Sequence, residues 1–410
     1  MATKAYKFRM EPTVDQQDAL LRQAAARRLV WNLALDRCQS FYKEHKKGIP
    51  WKQLSKELTE YKRTRLWMSE YDAQAMQQAL NDLRRAYVNH WNPKMRAGFP
   101  KMKRKKDTRQ SFRIPQRVKV ANGKVYVPKV GWVKITQSQE IEGTTKSATF
   151  KRTAAGRWFV TLVSEFEMVE CKPKVTAERV TGGDLGLYTY LTLSDGSSVD
   201  VPKFYRKAAK KLRRAQRQLS RKVKGSRNRE KARLAVALVH ERIANLRSNF
   251  AHQLSHKLVS TYPALALENL SIKGLARTKQ AKSMLDAAFG ETLRQLKYKS
   301  LWNNTHFVQV DRFFPSTQLC SECGYQNKTL TLSDREWQCP ACETSHNRDM
   351  NASLNIRDEG IRILVASGHV ETLNGCGSDV RPAKVGSLRN LSPESRSSKG
   401  AREGSRILVL

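Results

Sequence analysis

The sequence has few acidic residues for its length and no long apolar run. Of its 410 residues, 76 are Lys or Arg and only 37 are Asp or Glu, which gives a formal net charge of +39. No stretch approaches the roughly 20 apolar residues that a membrane-spanning helix needs. The first residues, MATKAYKFRM, lack the apolar core of a signal peptide. These absences argue against a membrane or secreted protein, and we expect a cytoplasmic one.

The shortage of acids leaves the positive charge without internal neutralisation. A folded protein with this much self-repulsion usually has a polyanionic partner, and nucleic acid fits better than a membrane surface because no amphipathic anchor is visible. The basic residues concentrate in two stretches, 101–106 and 203–233. A solvated helix face is the alternative, but the excess over acids favours an RNA or DNA contact. The candidate contact residues are Lys101, Lys103, Arg104, Lys105, Lys106, Arg213, Arg214 and Arg217.

Cysteine is also scarce, and four of the seven cysteines form two C-x-x-C pairs. The pairs are Cys320 with Cys323 and Cys339 with Cys342, and fifteen residues separate them. This spacing predicts four thiolates around one Zn²⁺, with the spacer folded as a hairpin. Two disulfides or redox pairs are the alternatives, and a long basic chain without a signal peptide argues against disulfides. Such a site is closed, so its zinc would hold the fold. The isolated Cys38, Cys171 and Cys376 are expected to be reduced thiols.

Local signals divide the first half of the chain into a barrel with an inserted helical bundle. Residues 4–9 alternate like a strand, and Thr13 with Gln16 has capping-box spacing for a helix start. We predict a bundle over residues 13–92 and a barrel from residues 1–12 and 93–175. Hairpins are predicted at Asn122-Gly123 and Ala155-Gly156. The apolar face expected on a helix that begins near Asp72 is Met76, Leu80, Leu83, Tyr87 and Trp91.

A third unit begins near residue 178. Its first segment predicts three short antiparallel strands with a turn at Asp195-Gly196. Two long basic helices follow between residues 203 and 258, broken at Gly225-Ser226. A buried strand then ends at Glu268, and HFVQVDR forms another before the cysteines. Residues 367–410, rich in Gly, Ser and Arg, predict a disordered tail.

Three acids of this unit stand beside apolar strand residues. Asp184 ends the first strand, Glu268 ends a later one, and Asp349 follows the cysteine pairs. Taken singly, each is more often a turn residue than a ligand. Together, they could converge at one sheet edge around two divalent cations, which would stabilise the attacking water and the leaving oxygen of a phosphodiester. Hard oxygen ligands favour Mg²⁺ or Mn²⁺.

Several motifs around these residues resemble the transposon-encoded TnpB family, relatives of the type V CRISPR effectors. They are TGGDLG, ALENL, PSTQLCSECG, WQCPAC and HNRDMNASLNI in the third unit, with VWN at 30–32, GFPKMKRKK at 98–106, KVGWVK at 129–134 and NGCGSDVRPA near the C-terminus. The resemblance covers essentially the whole chain. It implies an RNA-guided DNA endonuclease in which a guide RNA from the transposon end pairs with DNA and the protein reads a short adjacent motif.

The resemblance also implies an α+β multidomain fold. It contains a wedge β-barrel (1–12, 93–175), a recognition bundle (13–92), an RNase H-like RuvC nuclease domain (176–316, 346–366) and a zinc ribbon (317–345). Asp184, Glu268 and Asp349 take the three catalytic positions. Trp51 and Gln77 align with positions that contact the motif DNA, although a packed core aromatic is as good an interpretation of Trp51. We expect one protein copy per ribonucleoprotein, associated with the bacterial or archaeal nucleoid.

Two departures from the family pattern bear on activity. Gly183 replaces a large apolar residue before the first acid and is expected to loosen that strand, and Asn347 replaces an acid in the HDRD motif. Cleavage is still expected because all three acids are present. A non-cleaving RNA-guided DNA-binding regulator and a transposase are the competing hypotheses. The intact acids argue against a non-cleaving regulator. The zinc ribbon, which lies between Glu268 and Asp349, argues against a transposase.

Overall fold

The protein has a mixed α/β fold, seen in a computed structural model that describes residues 1–95, 97–105, 107, 110–168, 172–275, 277, 280–331, 334–371 and 406–407. The chain forms two compact units. One comprises Met1–Met168 and Gln218–Leu238, and the other comprises Val169–Arg217 and Val239–Leu410. No helix among the described residues combines the length and apolar character needed to cross a membrane.

The first unit combines a curled antiparallel sheet with three helices that follow its first strand. The elements are β1 (Ala2–Met10), α1 (Val14–His45), α2 (Trp51–Arg63), α3 (Ala73–Trp91), β2 (Gln110–Ile114), β3 (Val120–Ala121), β4 (Lys124–Val127), β5 (Gly131–Thr136), β6 (Thr144–Arg152) and β7 (Trp158–Phe166). The strand order is β2-β6-β7-β1-β5-β4-β3, so β1 lies between β7 and β5. Three helices therefore separate β1 from β2 in the sequence.

Local chemistry accounts for these boundaries. The Thr13 side chain accepts a hydrogen bond from the Gln16 backbone N–H and Gln16 reciprocates, which forms the predicted capping box. Asn122 and Gly123 both have positive φ, at 49° and 66°, as a type I′ turn requires. Gly156, with φ of 81°, closes the second predicted hairpin. The sheet buries an aromatic-rich core that includes Tyr6, Phe8, Phe112, Phe150 and Trp158.

One predicted core residue of the helices is exposed. Met76, Leu80 and Leu83 of α3 are buried and Tyr87 packs against them, but Trp91 is 71% exposed. The prediction for Trp91 was therefore wrong. Fifteen residues at about 100° each carry Trp91 roughly 60° past the stripe that Met76 begins, and it is the last residue of the helix.

The second half of the chain is built on a mixed sheet. Its elements are β8 (Val175–Thr176), β9 (Val180–Asp184), β10 (Thr189–Leu193), β11 (Ser198–Asp200), α4 (Phe204–Ser220), α5 (Arg227–Thr261), β12 (Ala264–Glu268), α6 (Ile272–Leu275), α7 (Ala281–Ala287), α8 (Phe289–Trp302), β13 (His306–Val310), β14 (Glu336–Gln338), β15 (Ser345–Asn347), α9 (Arg348–Ala366), β16 (Val370–Glu371) and β17 (Arg406–Ile407). The sheet order is β13-β12-β9-β10-β11-β17.

This sheet confirms the predicted run of strands. β9, β10 and β11 are antiparallel neighbours, with Gly196 at positive φ in the turn between β10 and β11. β12 joins β9 in parallel, and β13 joins β12 in parallel. Of the tail predicted to be disordered, 367–371 and 406–407 are described; β16 pairs with β8, and β17 pairs with β11. The rest of that prediction lies outside the described residues.

Helix α9 packs unusually close to the sheet because glycines face it. A Cβ on Gly182 of β9 would lie less than 3 Å from the Ser353 carbonyl oxygen and the Arg357 backbone nitrogen of α9. A Cβ on Gly360 of α9 would meet the Ala266 Cβ of β12 as closely. Gly183, on the opposite face of β9, is surrounded by leucine side chains, which occupy the space that a larger residue would fill. Those side chains belong to Leu267, Leu191 and Leu193.

We expect Gly182→Ala to destabilise the protein because the new Cβ meets α9 backbone, which cannot rotate away as a side chain can. Overpacking of this kind costs about 1–3 kcal/mol. The matched control is Gly290→Ala in α8, whose Cβ would make ordinary contacts of 3.5 and 3.8 Å with Ile272. Urea unfolding should show a lower midpoint for Gly182→Ala and an unchanged or higher midpoint for Gly290→Ala. Equal midpoints would contradict the close packing.

Candidate acid cluster and cysteine site

Two of the three predicted acids end adjacent parallel strands. Asp184 is the last residue of β9 and Glu268 is the last residue of β12. The register pairs Leu267 with Gly183, so the next residue of each strand is one of the acids. Because parallel strands end at the same edge of a sheet, the two carboxylates share that edge.

The third acid reaches the same edge from helix α9. Asp349 lies in the first turn of α9, the helix that packs on β9 and β12. A carboxylate is favoured at this position by the partial positive charge of a helix N-terminus. The structure therefore brings Asp184, Glu268 and Asp349 near one another, since the charges of Glu268 and Asp349 both act on Asp184.

Two of the three acids are buried without a paired positive charge in the described part of the chain. Within the described residues, the carboxylates of Asp184 and Glu268 have no hydrogen-bond or ion-pair partner. Burial, reinforced by the charges of Glu268 and Asp349, raises the pKa of Asp184 to about 7. Burial also raises the pKa of Glu268. Lone carboxylates in such surroundings are costly unless a cation accompanies them, so the donor set fits divalent metal ions.

Two arginines that the sequence analysis missed lie beside Asp349. The Arg335 guanidinium donates to the Asp349 carboxylate at 3.1 Å and lies over the Tyr188 ring at 4.2 Å. The Arg348 Nε is 3.8 Å from the same carboxylate. The register of β14 with β15, which pairs Glu336 with Asn347, brings Arg335 next to the start of α9. A hairpin prediction with that register could have found Arg335.

Asn347 has a local structural role that the family comparison did not suggest. It is the N-cap of α9, and its side-chain oxygen accepts a hydrogen bond from the Met350 backbone N–H at 3.2 Å. An aspartate can cap a helix in the same way. The substitution therefore preserves the start of the helix that carries Asp349.

The four paired cysteines form a second site. Their sulfur atoms all lie within 4.8 Å of one another, and they make no disulfide. The Cys320–Cys342 and Cys323–Cys339 sulfur distances are both 3.6 Å. Sulfur atoms about 2.3 Å from a tetrahedral metal are about 3.8 Å apart, so this geometry fits one ion. Strand β14 lies between the two cysteine pairs, and its partner β15 follows the second pair. Across this hairpin, Trp337 packs against the ring of His346.

We searched the described residues for groups of three or more His, Cys, Asp or Glu side chains whose donor atoms all lie within 4.8 Å of one another. The cysteine cluster is the group that meets this condition. The three acids are spaced more widely, and the Asp349 carboxylate is directed to Arg335. The chain thus offers two different donor sets, one compact and sulfur-based, the other open and oxygen-based.

The predicted nucleic-acid contacts differ in exposure. Arg213, Arg214 and Arg217 project from α4 into solvent, and Lys101, Arg104 and Lys105 are also exposed. Lys103 is instead half-buried, with its Nζ 3.6 Å above the Trp31 ring. Lys106 lies outside the described residues.

The two predicted motif-reading residues both contact protein. Trp51 is partly buried in the helical core, 6.2 Å from the Tyr87 ring, which favours its interpretation as a packed aromatic. The Gln77 side chain donates to the Ser55 hydroxyl at 2.7 Å. Neither side chain is therefore freely presented to a partner.

A basic cleft of the first unit was not predicted. It encloses about 750 Å³ between α2, the start of α3 and the β3–β4 hairpin. Met68, Met76 and Tyr126 contribute apolar lining. The basic lining residues are Lys62, Arg63, Arg117, Lys119 and Lys129. These residues are scattered over 68 positions of sequence, so no local charge run marks them.

Sequence comparison extends the likeness to whole proteins. A relative from Streptomyces pristinaespiralis, named provisionally as an RNA-guided DNA endonuclease, is 36% identical over 392 residues, which cover 94% of this chain and 93% of the relative. A relative from Escherichia coli strain K12, provisionally named RNA-guided DNA endonuclease InsQ, is 31% identical and is covered over 95% of its length.

The chain belongs to the TnpB family. Three family models match parts of it: OrfB of IS605, described as "Probable transposase", at residues 161–279; the Cas12f1-like TNB domain at 289–356; and the helix-turn-helix domain of IS605 OrfB at 1–47. In this TnpB protein, residues 1–47 form β1 and the single long helix α1, so they do not contain two helices joined by a turn.

A solved structure supports the fold. The Cas12f1 chain of a cryo-EM complex with sgRNA and target DNA superposes with a TM-score of 0.52 at 14% identity, covering 87% of this chain and 98% of that one. At this identity the match shows a common fold for the TnpB protein and Cas12f1.

We expect Asp184→Asn to stabilise the protein more at pH 8 than at pH 5, in buffer without added divalent cations. Because the folded-state pKa of Asp184 is raised to about 7, ionisation is costlier in the folded than in the unfolded chain. That cost is absent well below the unfolded pKa and complete only above about pH 7, and asparagine removes it.

Urea titrations of both proteins at the two pH values measure this difference. Chelators are omitted because they would extract a metal from the cysteines. The control is Asp200→Asn, at an exposed aspartate of β11, which should show no pH-dependent gain. A gain for Asp184→Asn that is the same at both pH values would contradict the burial of its charge.

Proposed function

We propose that this protein is an RNA-guided DNA endonuclease that cleaves double-stranded DNA beside a short transposon-adjacent motif. The observation that carries the proposal is the convergence of Asp184, Glu268 and Asp349 at one sheet edge, where burial raises the pKa of Asp184 and of Glu268. The names of the relatives and the fold shared with Cas12f1 support the same activity. The guide would be an RNA from the transposon end.

The chemistry is assigned to the three acids. Asp184, Glu268 and Asp349 would hold Mg²⁺, two ions in the simplest arrangement. Bound Mg²⁺ would stabilise the attacking and leaving oxygens of an in-line phosphodiester displacement. Arg335 supplies a positive charge at the rim of the cluster, where the negative phosphodiester would enter.

The domain roles follow the same proposal. Residues 176–316 and 346–366 would form a RuvC-type nuclease domain, and 317–345 a zinc ribbon. Residues 1–12 and 93–175 would act as a wedge domain and 13–92 as a recognition bundle for guide RNA and motif DNA. The basic cleft and the exposed arginines of α4 support a nucleic-acid partner. We further propose one protein copy per ribonucleoprotein, acting in a bacterial or archaeal cytoplasm at the nucleoid.

Cleavage of a plasmid that carries a guide-matched target tests the proposal. We expect Asp184→Ala, Glu268→Ala and Asp349→Ala each to reduce cleavage by about a thousandfold or more, because several kcal/mol of transition-state stabilisation would be lost. Guided DNA binding should stay nearly unchanged, since it depends on base pairing and backbone contacts.

The matched control is Asp200→Ala, an exposed acid of the same sheet, which should cleave like the wild type. Cleavage should also require added Mg²⁺. Guided binding without any cleavage by the wild type would favour a non-cleaving regulator, and strand transfer to the cut ends would favour a transposase. Near-normal cleavage by one of the three variants would remove that acid from the site.

The cysteine cluster should hold one structural Zn²⁺ per chain. We expect Cys339→Ser to lose the metal and to lower both stability and cleavage, because a segment this small has little core of its own. Cys38→Ala, in the other unit, should keep the full zinc content. Elemental analysis of protein purified without chelators measures the stoichiometry, and a wild-type value near zero would refute the assignment.

A further inference from the structure

The basic segment 98–105 is held against helix α1 by its backbone. The Asn32 side chain of α1 forms two hydrogen bonds with one residue of this segment, donating to the Lys103 carbonyl oxygen at 2.9 Å and accepting from the Lys103 N–H at 2.8 Å. The neighbouring Trp31 indole N–H donates to the Lys101 carbonyl oxygen at 3.0 Å. Two adjacent residues of one helix thus satisfy the backbone of a segment about 70 positions away.

These bonds determine where the side chains of the segment point. Lys103 turns inward and lies over the Trp31 ring, where burial lowers its pKa to about 8. Lys101, Arg104 and Lys105 are exposed. Lys103 therefore helps to hold the segment against α1, while the side chains of its basic neighbours are exposed to solvent.

The far end of the segment is also tied to α1. The Asp107 carboxylate accepts from the Arg104 N–H at 3.2 Å, and the Asp107 carbonyl oxygen accepts from the Gln110 side chain. Arg28 of α1 then donates to Gln110 at 3.0 Å. The exposed Arg104 and Lys105 are therefore presented from a backbone with hydrogen-bonded anchors on both sides, although residues 101–105 form no helix or strand.

A fixed backbone would favour binding of phosphates for two reasons. It holds the basic side chains close together despite their mutual repulsion, and it loses less conformational entropy on binding than a flexible loop would. Each residue that becomes ordered on binding costs conformational entropy, so a segment that is already held loses less. A row of lysine and arginine side chains on a preformed backbone suits phosphates, which are read by charge and position rather than by base identity.

We propose that Asn32 is a positioning residue for nucleic acid: its two bonds to the Lys103 backbone hold Lys101, Arg104 and Lys105 in place to contact phosphates. The role rests on the proposed nucleic-acid function. An uncharged side chain that faces the protein interior would thus control an electrostatic contact made by other residues.

A double-mutant cycle tests this role. Three proteins are compared with the wild type: Asn32→Ala; the triple variant Lys101→Gln, Arg104→Gln, Lys105→Gln; and the combination of both. Affinity for a labelled synthetic RNA duplex is measured over a series of salt concentrations. We expect Asn32→Ala to weaken binding about tenfold, as the loss of two backbone hydrogen bonds implies, and to flatten the salt dependence.

In the triple-variant background, Asn32→Ala should cause no further loss, because the cations that it positions are gone. The matched control is Gln23→Ala, at a buried amide of the same helix, which accepts from the Asp72 N–H at 3.1 Å away from the basic segment. It should lower thermal stability but leave RNA affinity unchanged in both backgrounds.

Three results would overturn the proposal: unchanged affinity of Asn32→Ala, an equal loss in both backgrounds, or a similar loss in Gln23→Ala. If Asn32→Ala fails to fold, Trp31→Phe replaces it, since this change removes only the bond to Lys101 and keeps a ring beneath Lys103. Its smaller loss should again vanish in the triple variant. Absence of RNA binding by the wild type would instead refute the proposed function itself.

Discussion

The close approach of α9 to the sheet is the constraint on which the acid cluster depends. Gly182 and Gly360 leave no Cβ in the interface, so the helix backbone lies directly against β9 and β12. Asp349, in the first turn of that helix, is thereby brought near enough to Asp184 for its charge to raise the Asp184 pKa. A larger residue at either glycine would move the helix, and the third acid with it, away from the strand ends.

The cysteine cluster acts on the same helix from its other side. The cysteine pairs flank strand β14, which pairs with β15, and β15 ends at Asn347, the N-cap of α9. The cysteine cluster is consequently connected to the start of α9 through the β14–β15 hairpin. The hairpin also supplies Arg335, the positive charge beside Asp349. A metal held by the cysteines would thereby be connected to the acid cluster through the start of the helix, without any part in the proposed chemistry.

Short-range signals predicted much of this architecture, and long-range packing decided the rest. The Thr13 capping box, the Asn122-Gly123 turn and the cysteine spacing each depend on a few neighbouring residues, so the sequence contained them. The exposure of Trp91 could not be read from its spacing, because helical drift over four turns moved it off the buried face. The inward turn of Lys103 depends on Asn32, 71 positions earlier. Gly183 was expected to loosen β9 because the family has a large apolar residue there. In the structure, leucine side chains from neighbouring strands fill the space that a larger side chain would occupy.

In the proposed function, the chemistry and the attraction to nucleic acid would reside in different kinds of residues, so each could vary separately. The acid cluster comprises three carboxylates, and burial makes the charges of Asp184 and Glu268 locally expensive. The proposed attraction to phosphates would instead come from a large excess of cations, within a net charge of +39. Removing one acid changes that total charge by a small fraction but removes a third of the oxygen donor set. Conversely, Asn32 carries no charge at all, and in the proposed role it would alter the attraction only by changing where cations lie. The effect of a mutation on binding would therefore depend on the backbone that the residue holds as well as on the charge that it carries.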